Sequence, residues 1–225
     1  MADTQPSLEY ERVHLTAGRV VVGVDEVGRG ALAGPVLVGA VALARDPGDL
    51  PGLNDSKLLT ARRREGLVEP IKAWADGWAI GSASAQEIDD WGIALALGVA
   101  ANRAIDALAL PPDHLLIDGP HNILRCRTDV AMGVDLPPSL TWKSTPATML
   151  VKGDQRSMTI AAAAVLAKVT RDAIMVNLAD QFPQFEWAGN KGYGSSGHLE
   201  ALERLGPTPQ HRQSWNIPKG PVVEG

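Results

Sequence analysis

A chain of 225 residues with 45% hydrophobic content suits one principal domain and can fill a substantial core. Its single cysteine, Cys126, excludes an internal disulfide, and no cluster of Cys and His offers zinc-ligand spacing. A formal net charge of −5 excludes a generic polyanion-coating protein, so any nucleic acid bound here must be met by local basic groups.

The first residues, Met1 to Leu15, are acidic and polar. They lack the positive start and long apolar core of a secretion signal, so a short frayed tail over 1–18 and cytoplasmic residence are expected. No apolar run approaches the roughly 20 residues of a membrane-crossing helix. Arg19 to Val24 is β-branched and ends in Asp25 and Glu26; Gly28 and Gly30 follow, and Pro35 opens a second aliphatic run to Leu43. This predicts strand, glycine turn, strand. Thr60 to Trp74 carries Leu67, Ile71 and Trp74 at helical spacing, and Trp78 to Ala83 alternates as a third strand would. Ser84 and Glu87 have the spacing of a capping box that opens a helix.

Ile93 to Leu110 is rich in Ala and Leu and predicts a helix closed by Pro111 and Pro112, after which His114 to Ile117 forms a short buried strand ending at Asp118 and Gly119. Pro120 to Thr145 is proline-rich and aperiodic and predicts a long loop. Thr148 to Val151 is a candidate last strand, and Gln155 to Gln181 reads as one long Ala-rich helix. Gly189 to Gly197 is a glycine-rich loop holding Tyr193, followed by a helix over His198 to Leu205 and an irregular tail.

The chemistry lies in carboxylates that follow separate aliphatic strands. Asp25, Glu26, Asp118 and Asp154 are candidate ligands for hard divalent cations, which prefer oxygen donors. Two such cations about 4 Å apart supply what phosphodiester hydrolysis needs. Adjacent strand residues face opposite ways, so Asp25 and Glu26 can serve one site only where the strand ends, an exit that Gly28 and Gly30 predict. Taken singly, each signal has a plainer reading: an Asp-Glu pair is usually surface, Asp154 before a helix is usually an N-cap, and Asp118-Gly119 is an ordinary turn. Their placement along one rim of an α/β sheet shifts the balance toward function. Basic groups that could meet a polyanion are Arg62, Arg63 and Arg64, then Lys168 and Arg171, Lys191, and His211 with Arg212, although each alone is also an ordinary solvated face. The glycines around Arg29 do not match a dinucleotide fingerprint, because a strand follows where a helix is required.

Six blocks then stand out: GVDEVGRGALAGPV from Gly23, LNDSK from Leu53, LLIDG from Leu115, VKGD from Val151, AAAAVLAKVTRD from Ala161 and KGYGSSGHLEAL from Lys191. In this order they resemble the bacterial ribonuclease HII family across most of the chain. The resemblance implies an α/β, ribonuclease H-like fold over 19–182, a mixed β-sheet flanked by helices, with a C-terminal helical extension over 183–225 that contributes to substrate binding. It implies an endoribonuclease that cuts the RNA strand of RNA–DNA hybrids and 5′ to single ribonucleotides embedded in duplex DNA, leaving 3′-hydroxyl and 5′-phosphate ends. Asp25, Glu26, Asp118 and Asp154 would hold two Mg2+ or Mn2+ ions. Gly28, Arg29 and Gly30 match the element that contacts the ribose 2′-hydroxyl and a neighbouring phosphate, and Tyr193 matches the tyrosine that packs on the sugar. Asn54, Ser56, Lys57, Lys168, Arg171 and Lys191 would contact the backbone. Departures fall outside the metal set: Ala31 replaces a common proline, Leu58 a second lysine, and the tail holds Gln213 and Trp215 where Arg and Phe are typical.

Two alternatives stay open at this level. Another two-metal nuclease of the same fold, such as a junction resolvase or a ribonuclease H of the other type, would share the carboxylates but lack the Gly-Arg-Gly element. A catalytically dead duplex-binding module would keep the grooves without turnover.

Overall fold

Val21–Val27 (β1) and Val36–Leu43 (β2) are aliphatic on both faces, as strands covered on two sides must be, and β2 is buried at every position. In the computed structural model, which describes residues 5–124 and 144–221, they form the centre of a five-stranded sheet. Gly77–Ala83 (β3) pairs antiparallel with β2, while His114–Asp118 (β4) lies parallel to β1 and Ala147–Leu150 (β5) parallel to β4, giving the order β3-β2-β1-β4-β5. Cys126 and most of the loop expected between Pro120 and Thr145 lie outside the described residues. Among the described residues no helix is long and apolar enough to cross a membrane.

Helices cover both faces. The long helix Ala85–Asp106 (α3) packs Ala96, Leu97 and Ala100 against Val22, Val24 and Ile117. The opposite face carries Ala61–Trp74 (α2) and Met158–Gln181 (α4), whose Leu67, Ile71, Ile160 and Ala163 meet Val21, Val41 and Leu116. Alanines let α4 lie close: a Cβ on Gly39 would stand 2.4 Å from the Ala163 carbonyl oxygen, so only glycine fits there. Two short helices, Trp187–Asn190 (α5) and Ser196–Leu205 (α6), bury Phe185, Trp187 and Leu202 against Met175 of α4 and against Ala33.

The expected elements recur with local differences. Thr60 and Ser84 cap α2 and α3, and Ser84 with Glu87 makes both hydrogen bonds of the capping box. The helix opened by Ser84 and the one expected from Ile93 meet at Gly92, whose φ 75° and ψ 155° kink α3, and α3 stops at Asp106, short of Leu110. The diproline stop disfavours helical backbone in the residue before it, so the last turn is lost. Ser157, not Asp154, caps α4.

The frayed N-terminal tail is a correction. Glu9–Leu15 (α1) is helical, and Glu11 is fully buried. Its Oε1 accepts from Ser157 Oγ at 2.6 Å, Thr159 N at 2.9 Å and Thr159 Oγ1 at 2.8 Å. A carboxylate at the N-terminus of α4 is favoured by the orphan N–H groups and the helix dipole, and this docking orders a segment too short to be helical alone.

Candidate active site

Strand register brings the acidic residues together. Val24 pairs with Ile117 across the parallel strands β1 and β4, so Asp25 and Asp118 are the next residues of neighbouring strands. Both share parity with Val21 and Leu116, which pack against α4, so both carboxylates leave the sheet on the α4 face. Leu150 pairs with Asp118, and the 3-10 turn Gly153–Gln155 then carries Asp154 to the same edge. The Gly153 N–H donates to Asp118 Oδ1 at 2.7 Å, which ties the two segments.

β1 runs through Val27, beyond the exit expected after Glu26, and still Asp25 and Glu26 line one cleft. β1 has no partner in β4 beyond Val24, and Gly28 turns the chain at φ +87°, so Glu26 borders the cleft from the opposite parity. A side chain on Gly28 would also collide with Arg171, its Cβ standing 2.2 Å from Nε. Gly30 differs: nothing lies within 4 Å of the place a Cβ would occupy. The fold does not require glycine at position 30, and that residue lines the cleft.

The electrostatics are those of crowded anions. Burial pushes the Asp25 carboxyl well above the usual range, and Asp118, Glu26 and Asp154 push it further. Burial also raises Glu26, partly offset by Arg29, whose guanidinium lies 3.4 Å away. Asp154 is raised by burial against the opposing pull of Lys57, whose Nζ reaches its Oδ2 at 3.1 Å. Among the described residues no three acidic, histidine or cysteine side chains converge closely enough to hold an ion as they stand. The donor set nevertheless fits a hard divalent cation. It offers only carboxylate oxygens, and their mutual repulsion is what a cation would relieve.

Asp118, Gly28, Arg29, Gly30, Ser56, Lys57, Lys168 and Tyr193 join Asp25 and Glu26 around the cleft. Asp154 is nearly buried and lies just behind it under Lys57. Asn54 is also set back, its Oδ1 accepting from the Asp55 N–H at 2.8 Å. Lys168 is held by Asp172 at 2.7 Å, and Lys191 borders an adjoining groove between α2 and α4. Arg171 requires correction as a phosphate contact: it is fully buried, and its guanidinium donates to the carbonyls of Ala33, Pro35 and Lys191. Of the three consecutive arginines 62–64, Arg64 alone lines the cleft, and it braces the 54–59 loop by donating to Ser56 O at 2.8 Å and Leu59 O at 2.6 Å.

Asp55 is a site residue that sequence reasoning missed. Although burial raises its carboxyl, hydrogen bonds from the Lys57 N–H at 2.9 Å and Gln155 Nε2 at 3.1 Å win and hold it below the usual range. Its position two residues before a lysine was the available signal, because Asp side chains accept from N–H groups two residues on.

A model of the family described as Ribonuclease HII matches residues 22–217, and the match spans every element that builds this edge. The chain belongs to the ribonuclease HII family. It is 44% identical to Ribonuclease HII of Syntrophotalea carbinolica over 95% of this chain and 93% of that protein, and 48% identical to Ribonuclease HII of Ruegeria sp. (strain TM1040) over 93% and 84%. The family makes it a nuclease, a hydrolase with ribonuclease H activity. Among solved structures, ribonuclease H2 from Pyrococcus horikoshii superposes with a TM-score of 0.67 at 24% identity, covering 88% of this chain and 94% of that one. Bst-RNase HIII, solved in complex with Mn2+, superposes at 0.62 and 20% identity over 83% and 61%. These two likenesses concern the fold, and it is the ribonuclease H-like mixed sheet flanked by helices.

Proposed function

We propose that this member of the family cuts the RNA strand of RNA–DNA hybrids and incises duplex DNA on the 5′ side of an embedded ribonucleotide, leaving 3′-hydroxyl and 5′-phosphate ends. The observation that carries the reading is the pairing of two features on one cleft: the anion cluster of Asp25, Glu26 and Asp118, and the uncrowded backbone at Gly30 beside it. Asp25, Glu26, Asp118 and Asp154 would hold two divalent cations, magnesium or manganese. When bound, such ions supply a water activated near neutral pH and neutralise charge on the scissile phosphate.

The remaining work falls to this chain's own groups. The backbone N–H groups of Arg29 and Gly30 can approach a sugar edge closely, and only the 2′-hydroxyl distinguishes RNA from DNA there. Arg29 keeps an exposed guanidinium, loosely paired with Glu26, free to turn to a phosphate. Tyr193, 38% exposed, offers a ring on which a sugar can pack. Lys57, Lys168, Lys191 and the 54–56 loop supply phosphate contacts that orient the duplex without reading bases, and the extension from 183 onward provides one wall of the groove.

The test is substrate competition. An end-labelled DNA duplex with one ribonucleotide, a long RNA–DNA hybrid and an all-DNA four-way junction are offered with magnesium. Incision of the first two, with 5′-phosphate ends, supports the reading; preference for the junction overturns it.

A further inference from the structure

Arg171 and Arg212 are both fully buried, and every hydrogen bond described for either guanidinium ends on a backbone carbonyl. A buried fork of donors is costly unless satisfied, so such a site persists only where its partners need holding. Arg171 donates to Ala33, Pro35 and Lys191 oxygens at 2.9–3.0 Å, joining the segment after β1 to the loop before Tyr193. Arg212 donates to Gly28 O at 2.6 Å, Arg29 O at 2.8 Å and Gly34 O at 3.2 Å, joining the same segment to the C-terminal tail. Main-chain bonds run alongside: Leu32 N to Gly192 O at 2.8 Å, and Arg212 N to Leu32 O at 2.9 Å.

We propose that Arg171 and Arg212 are positioning residues. They set the offset between the Gly28–Gly30 loop and Tyr193, and so determine how tightly the enzyme grips the ribonucleotide between them. This rests on the substrate reading above. Neither arginine lines the cleft, so neither touches substrate. Arg171 also lies directly over the Tyr193 ring, 5.5 Å from its centroid, whereas Arg212 acts through peptide units. In a trans peptide the N–H points away from the C=O, so with the Gly28 and Arg29 oxygens held from inside by Arg212, the N–H groups of Arg29 and Gly30 are directed away from it. A charged donor on the oxygen also polarises the peptide and strengthens its N–H as a donor. The same arginine thus aims and sharpens the two amides nearest the open space at Gly30.

The full-length protein is tested with magnesium on duplex DNA carrying one ribonucleotide. Arg212→Met should unfold cooperatively, raise KM ~10-fold or more and change kcat less than ~3-fold, the pattern of lost substrate binding. Arg212→Lys should recover little, because an ammonium keeps the charge but cannot span separate carbonyls. In a Tyr193→Ala background the same Arg212→Met change should cost less than ~3-fold, since coupled residues do not add. A wild-type KM in Arg212→Met, or effects that simply multiply with Tyr193→Ala, overturns the proposal. Should Arg212→Met fail to fold, amide exchange over 28–34 in Arg212→Lys decides: faster exchange there with an unchanged sheet supports the role, and unchanged exchange overturns it. If the wild-type enzyme does not cut this duplex, the substrate reading fails while the exchange experiment still judges the arginine's hold on the loop.

Discussion

The Nε2 atoms of His198 and His211 face each other across 3.0 Å in the buried C-terminal core. The surrounding bonds assign their protons. His211 Nδ1 accepts the Thr208 N–H at 2.9 Å, so its proton sits on Nε2 and is donated to His198 Nε2, which also accepts from Trp187 Nε1 at 3.2 Å. His198 then donates from Nδ1 to the Tyr193 carbonyl at 2.9 Å. A proton added to either ring would break this chain of bonds.

Acid sensitivity follows. Burial first, and His198 second, hold His211 down at about 4, against 6.5 for an ordinary histidine, and burial lowers His198 also. A depressed value means that the stabilisation is present above the unfolded pKa and is lost as pH falls toward the folded one. His211 alone should cost roughly 3 kcal/mol of stability between those limits. Thermal unfolding scanned over this range should show the decline, and His211→Gln should flatten it.

Asp25→Asn should abolish cleavage and yet make the metal-free protein more stable at neutral pH. Asp25 is raised by burial and by three neighbouring carboxylates, so its cost to folding builds as pH rises from the unfolded value through the raised folded one and is full above it. Differential scanning calorimetry should find a melting temperature higher by about 2–4 °C, the response of a chain this size to about 1 kcal/mol. The advantage should vanish near pH 3, where both variants are uncharged at this position.

The two glycines of the loop should fail in different ways. Gly28→Ala introduces a positive-φ strain and a clash with Arg171, and should lose about 1–3 kcal/mol in denaturant titrations. Gly30→Ala meets no atom and should stay within about 0.5 kcal/mol of wild type. Its KM on an embedded ribonucleotide should nevertheless rise about 10-fold.

Divalent cations should raise the melting temperature of the wild type. At a hundredfold excess of free magnesium over its dissociation constant the gain is about 2.7 kcal/mol. Asp118→Asn should lose most of that response in a thermal-shift titration, because an amide grips a hard cation poorly.

Much of this is legible in the residues. Strands β1, β2 and β4 announce themselves as aliphatic runs, and the acidic residues near the end of β1 and at the end of β4 are visible as such. Contact at long range is what the chain does not display. Glu11 looks like one more acid in a polar tail until α4 brings Ser157 and Thr159 to it. Arg171 has the spacing of a solvated helix cation, yet the extension folds over it and turns its donors inward. Asp55 stays hidden because the value of a loop carboxylate depends on which segment, here Asp154 and Gln155, is packed behind it.

The most direct measurement is incision of two duplexes differing by one oxygen, a DNA duplex with a single ribonucleotide and its all-deoxy counterpart, by wild type and Asp25→Asn with and without magnesium. A cut 5′ to the ribonucleotide is expected only for wild type with magnesium, and none in the all-deoxy duplex. Equal cutting of both duplexes, or undiminished cutting by Asp25→Asn, would contradict the role given to the carboxylates and to the 2′-hydroxyl.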